Sequence, residues 1–193
     1  PGHRISPSFR HRRAHRVSRP RPSWVIIRIN MSTAPEHIRS PLRYEFCGLD
    51  FASPIVLLSG CVGFGEEYTR IEGFSNRDAG GIVLKGTTGQ ARLGNPPHRV
   101  YETSMGMLNA IGLQGIGVHR FISEKLPLLR ERKARTIVNI CGTTLDEYVE
   151  VARILSDAEG VDALEINISC PNIKEGGIQF GCSLDGTFSV VSA

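Results

Sequence analysis

The chain has 193 residues, 40% hydrophobic and 22% charged, the balance of a globular domain with one core or part of a larger one. No apolar run approaches the roughly 20 residues of a membrane helix; the longest, Trp24-Val25-Ile26-Ile27, is broken by Arg28, and a soluble protein is expected. The net charge of +4 hides two unlike regions: residues 1–30 hold eight Arg and no Asp or Glu, which leaves 15 basic and 19 acidic residues, net −4, for residues 31–193. An acidic body argues against nucleic acid as the main partner.

The basic head, residues 1–30, starts at Pro1 and carries Pro7, Pro20 and Pro22. It reads as disordered: either sequence upstream of a native start at Met31, or a transit peptide whose Arg-rich composition fits and whose prolines do not. Residues 31–41 read as a lead-in, and the folded region is expected over 42–193. The cysteines, at 47, 61, 141, 170 and 182, are odd in number and form no CxxC. That argues against a disulfide scaffold or structural zinc, and fits a reducing cytoplasm with most of the thiols in the core.

Leu42–Phe46 and Leu49–Phe51 flank Cys47-Gly48 as a small hairpin. Ile55–Leu58 is a short apolar strand ending at Ser59-Gly60, residues 66–74 read as a short helix, and Gly81–Lys85 is a second buried strand. Residues 86–116 are too long for a plain connection, and loops of that length are usually functional. Val118, Phe121, Ile122 and Leu126 repeat at helical spacing until Pro127, where the pattern is expected to end. After a third strand, Thr136–Ile140, Thr144 and Glu147 form a capping-box signature. Leu145, Tyr148, Val149 and Ala152 then place an apolar stripe on the helix that follows. Ala163–Ile168 is a fourth strand, and a further helix begins at Leu184.

Strands alternating with helices predict an α/β fold with a parallel sheet. The four strands finish in Ser59, Lys85, Asn139 and Asn167, polar ends that would converge at the C-terminal mouth of a barrel. A doubly wound dinucleotide fold would place GxGxxG after its first strand, where this chain has Ser59-Gly60-Cys61-Val62-Gly63-Phe64-Gly65. The expected fold is a (β/α)8 TIM barrel. A whole barrel takes about 250 residues, so four strands predict a chain truncated to about its first half.

Lys85 at a buried strand end calls for an anion or an electron-rich ring, unless it snorkels out to solvent. Asn167-Ile168-Ser169-Cys170-Pro171-Asn172 gathers two amides, a hydroxyl and a thiol behind a strand, as a substrate clamp or as ordinary turn-formers. Cys170 has a thiol that can be tuned for proton transfer, though a lone cysteine is more often inert. The amide of Asn109 and the backbone through Ile111, Gly112 and Leu113 to Gln114 suit a planar polar ligand.

Taken together these segments resemble the dihydroorotate dehydrogenases, class 1B. The resemblance rests on Ser59–Tyr68, Lys85-Gly86-Thr87-Thr88, Gly94-Asn95-Pro96-Pro97, Gly106–Gln114, and Glu165–Asn172 with Lys174–Gly177 and Phe180-Gly181, in the family's order over about residues 42–193. Departures are Val62 for the usual Phe, Gly86 for Ala, Gly115-Ile116 for Asn-Pro, and Cys182–Gly186, which differs from the usual Thr-Asp-Pro-Glu.

The resemblance implies oxidation of dihydroorotate to orotate in pyrimidine biosynthesis, with FMN as cofactor. Ser59, Lys85, Gly86, Asn139 and Asn167 would contact FMN. Lys85, Asn109, Ala110, Ile111, Gly112, Leu113, Asn167 and Asn172 would hold the substrate. Cys170 would be the catalytic base, taking a proton from C5 while a hydride leaves C6 for the flavin. It also implies a homodimeric core and a partner subunit with FAD and a 2Fe–2S cluster that passes electrons to NAD. Half a barrel alone would be inactive. The rivals are an inactive remnant of that enzyme and a dihydrouridine synthase, an FMN barrel acting on tRNA, which would favour a basic body.

Overall fold

The structure is a computed structural model that describes residues 42–132, 135–169 and 180–193; the expectations for residues 1–30 and 31–41 fall outside them. The chain opens with an antiparallel hairpin, β1 (Tyr44–Phe46) and β2 (Leu49–Phe51), turned at Cys47 and Gly48, both with positive φ. β3 (Val56–Leu57) runs into a four-residue helix, α1 (Ser59–Val62), so Ser59 opens a helix rather than ending a strand. The helix expected over 66–74 is a single 3-10 turn, Tyr68–Arg70. It ends where Ile71 turns to an extended conformation, φ −81° and ψ 123°.

β4 (Gly81–Thr87) extends two residues beyond Lys85. The stretch expected to be loop contains a second hairpin, β5 (Val100–Thr103) with β6 (Gly106–Asn109). A short helix, α2 (Val118–Arg120), then passes through a π-helical stretch, Phe121–Lys125, into α3 (Leu126–Arg132). Pro127 therefore does not end the helix. Leu126 N–H bonds to Phe121 O, five residues back, and this widened turn admits a proline ring that would collide with a regular helix. β7 (Arg135–Ile140), α4 (Leu145–Ser156), β8 (Ala163–Ile166) and α5 (Leu184–Ser192) complete the described chain.

β3, β4, β7 and β8 form one parallel sheet in sequential order, with helix between consecutive strands. Each strand adds to the same side, the progression of a barrel wall; a doubly wound sheet reverses. One face carries Ile82, Leu84, Val138 and Ile140 against Val118, Phe121, Leu126 and Leu129 of α2–α3 and Tyr148, Val151 and Leu155 of α4. The buried stripe of α4 is thus Tyr148, Val151 and Leu155, with Leu145 and Ala152 at its edge. The other face packs Val56, Ile137 and Ala163 under Tyr44, Leu49 and Phe51, so the hairpin β1–β2 plugs the N-terminal end. Arg135 fastens that plug, donating to Asp50 O at 2.8 Å and to Asp162 Oδ1 at 2.6 Å.

Thr144 caps α4 as expected, its Oγ1 accepting from Glu147 N at 3.2 Å. The carboxylate of Glu147 reaches one residue further back than a capping box requires. Oε2 accepts from Thr143 N (2.8 Å) and Thr143 Oγ1 (3.1 Å), while Oε1 accepts from Gly89 N (3.3 Å) in the loop after β4. Thr144→Ala should lower stability by about 1 kcal/mol. Glu147→Ala leaves two N–H groups unpaired and should cost about 2 kcal/mol, as read from denaturant midpoints of the two variants.

Candidate functional site

Period-two alternation sends Val83 and Lys85 of β4 to the face opposite Ile82 and Leu84, and does the same for Ile137 and Asn139 of β7. Val83 is level with Ile137, and Ile137 with Ala163; two residues on, Asn139 is level with Glu165. This inner face is therefore apolar near the hairpin plug and turns polar at Lys85, Asn139, Glu165 and Asn167. A cleft of about 310 Å³ opens above them. Its floor is Ser59, Lys85, Gly86, Asn139 and Asn167, and its wall is Asn109, Ile111, Gly112 and Leu113. Ala110 lies off the cleft and braces the wall: its N–H donates to Arg99 O and its carbonyl accepts from Asn95 Nδ2, both at 2.8 Å. Cys170 and Asn172 lie outside the described residues.

The wall is held in a conformation that only particular residues tolerate. Gly112 has φ +76°, and a Cβ there would stand 2.7 Å from Asn95 Cγ. Leu113 follows at φ 55°, which costs a residue with a Cβ of order 1 kcal/mol. Antiparallel bonds between Arg92 and Gly115 hold the neck of this excursion at 2.9 and 3.0 Å.

Sequence reading passed over Gly60 and Gly63 as cleft residues, while Gln114, the end of the run expected to meet a planar ligand, does line the cleft. It also passed over Cys141, the only buried thiol among the described residues; Cys47, Cys61 and Cys182 are exposed, contrary to the expectation that most sit in the core. Nothing in the pattern marks Cys141, whose importance comes from its neighbours. Its Sγ donates to Asn139 Oδ1 at 3.3 Å and lies only 2.8 Å from where a Cβ on Gly86 would stand.

Among the described residues, every amide lining the cleft has its oxygen engaged. Asn109 Oδ1 accepts from Ile111 N (3.0 Å), Gln114 Oε1 from Arg99 Nη2 (2.8 Å), Asn139 Oδ1 from Asn167 Nδ2 (3.2 Å) and Asn167 Oδ1 from Ser169 N (3.2 Å). Asn139 Nδ2 is spent on Glu165 and one hydrogen of Asn167 Nδ2 on Asn139, which leaves the nitrogens of Asn109 and Gln114 and the second hydrogen of Asn167 for a ligand. The ammonium of Lys85, half-buried, makes no hydrogen bond or ion pair with the described residues. It lines both this cleft and a second one of about 430 Å³ bordered by Phe64, Arg92, Gln114, Ile116 and Arg120. Such a donor-rich, cationic cleft suits a flat ring edged with carbonyl or carboxylate oxygens.

The family model for dihydroorotate dehydrogenase matches residues 41–193. The chain belongs to the dihydroorotate dehydrogenase family. Its relatives include the catalytic subunits of dihydroorotate dehydrogenase B (NAD(+)) from Exiguobacterium sibiricum, 51% identical over 69% of this chain and 43% of the relative, and Geobacillus kaustophilus, 51% identical over 72% and 44%. A third, from Porphyromonas gingivalis, is 45% identical over 76% and 47%. The chain thus spans less than half the length of these dihydroorotate dehydrogenases. None of the three is a dihydrouridine synthase. Crystal structures of the Eimeria tenella DHODH, in complex with ferulenol and ligand-free, match with TM-scores of 0.61 and 0.60 at 21% identity. They cover 78% of this chain and 42% and 44% of those chains. At that identity the likeness carries the fold: the four-stranded sheet is part of an α/β TIM barrel.

The contact between Gly86 and Cys141 generates a test. Gly86→Ala should destabilise the protein by about 1–3 kcal/mol through overpacking, and Cys141→Ala should restore most of that loss. A double-mutant cycle on unfolding free energies measures the coupling, and additive effects would mean that the two positions do not touch.

Proposed function

We propose that the protein of which this chain is part oxidises dihydroorotate to orotate in pyrimidine synthesis. The supporting observation is the donor-rich cleft, with the Lys85 ammonium making no hydrogen bond or ion pair among the described residues, on a chain of the dihydroorotate dehydrogenase family. Dihydroorotate is a planar-edged anion with a carboxylate and two ring carbonyls, all of them acceptors. In this reading Lys85 meets the carboxylate, while Asn109, Asn167 and Asn172 hold the ring by their amide hydrogens. The backbone from Ala110 to Leu113 closes one side.

The residues also fit FMN. Gly60 leaves room on the floor, since a Cβ there would point into open space. Ser59, Lys85, Gly86, Asn139 and Asn167 would hold the flavin. When bound, FMN supplies the two-electron acceptor for the hydride lost from C6. The chain's own chemistry is proton transfer: Cys170, as thiolate, removes the C5 proton, and the electron pair of that C–H bond becomes the C5=C6 double bond of orotate. Lys85, close to where negative charge gathers, stabilises it.

The relatives' name, catalytic subunit of an NAD(+) enzyme, supports a second subunit that returns the electrons to NAD. We assign FAD and a 2Fe–2S cluster to that subunit, a homodimer to the catalytic core and the cytoplasm to the assembly. Among the described residues no helix is long and apolar enough to cross a membrane.

The protein expressed from its gene should bind FMN and produce orotate, followed by absorbance, with an artificial electron acceptor. FMN-loaded protein that makes no orotate would refute the assignment. Cys170→Ala should slow anaerobic flavin reduction by about 10²–10⁴-fold while orotate binding survives; reduction at the parent rate would remove Cys170 from the chemistry.

A further inference from the structure

The amide chain at the head of the sheet has both of its ends fixed by groups that can play only one part. At one end stands the carboxylate of Glu165, which accepts from Asn139 Nδ2. At the other, the backbone N–H of Ser169 donates to Asn167 Oδ1 at 3.2 Å. Between them Asn167 Nδ2 donates to Asn139 Oδ1 at 3.2 Å. An ionised carboxylate only accepts and a backbone N–H only donates, so the chain has a single consistent direction. Turning over either amide would set oxygen against oxygen at Glu165 or N–H against N–H at Ser169. Cys141, donating to Asn139 Oδ1, agrees with the same direction.

Glu165 is itself no part of the cleft. It stands level with Asn139 in the neighbouring strand, on the same inner face. Its effect reaches the ligand through the two amides: Asn139 is 3% exposed and fixed between β7 and β8, while Asn167 lines the floor. With one amide hydrogen of Asn167 spent on Asn139, the other is left for the ligand, and its oxygen is withheld.

We propose that Glu165 is a positioning residue that fixes the hydrogen-bond polarity of Asn139 and Asn167, so that the cleft offers donors and selects ligands with acceptor edges. The proposal rests on the reading of the cleft as an orotate site and deepens it. Its content is contact, not charge: what matters is an oxygen within reach of Asn139 Nδ2.

Three variants of the FMN-loaded protein separate those possibilities. Glu165→Gln keeps an accepting oxygen at full reach without the charge. Glu165→Asp keeps the charge but falls one methylene short, and Glu165→Ala removes both. The measurement is the ratio of dissociation constants for orotate and for analogues carrying an amino group in place of one ring carbonyl. A mismatch of this kind is strongly penalised where the polarity is fixed. Glu165→Ala and Glu165→Asp should compress the ratio by about tenfold or more, and Glu165→Gln should keep it within about twofold of the parent. General loosening of the fold would weaken both ligands alike and leave the ratio unmoved. An unchanged ratio in the alanine variant overturns the proposal, as does a ratio kept by aspartate and lost by glutamine. Should the alanine variant not fold, the aspartate and glutamine pair decides alone. A parent protein that binds no orotate would instead refute the reading of the cleft, a result distinct from either.

Discussion

Asn139 is 3% exposed, and an amide so placed has to find its partners within the protein. It finds them in Cys141 just past the end of its own strand, in Glu165 on the next strand, and in Asn167 just past that strand's end. Those bonds tie β7 to β8 by side chains at the C-terminal end of their backbone ladder. The same alternation that turns Asn139 inward turns Val138 and Ile140 outward to the helices, each about 1% exposed or less. The strand cannot slip by one residue without burying the amide against Phe121 and Leu155 and exposing the valine to the cleft. The register of the sheet and the polarity of the site are thus one constraint.

That constraint divides the inner face along the strand direction. Near the N-terminal ends, Phe51 and Leu49 seal an apolar layer, with the charged groups of Arg135, Asp50 and Asp162 outside it. Toward the C-terminal ends, Lys85, Asn139, Glu165 and Asn167 succeed one another, where barrel enzymes assemble their chemistry. One end of each strand serves stability and the other serves a ligand.

Much of this was legible in the residues. The strands β4, β7 and β8 announce themselves as apolar runs with polar ends because burial on both faces leaves few alternatives. The start of α4 is written in Thr144 and Glu147. Less legible were features whose cause is not local. The hairpin β5–β6 has every residue exposed and turns at Ser104-Met105, so neither alternation nor an Asn-Gly turn marks it. Pro127 reads as a helix stop because the π-helical stretch that accommodates it has no sequence period of its own. Glu165 was visible only as one letter of a motif. Its part depends on which strand stands beside it, and Cys141 acquires its place from the absent side chain of Gly86.

The excursion between β4 and α2 is closed at its base. Val118 N–H bonds to Thr88 O at 2.9 Å, Arg92 and Gly115 exchange two bonds, and Glu147 holds Gly89 from outside. Closing a loop costs conformational entropy that grows only slowly with its length, and here the closure is borne by these few residues of the neck. What lies beyond it, residues 93–114, behaves as a cassette. A segment of different length or composition between Arg92 and Gly115 should therefore leave the barrel wall beneath little changed. The wall of the cleft can then diverge while its floor stays constant, which lets one scaffold acquire new ligand preferences by exchanging a single surface segment.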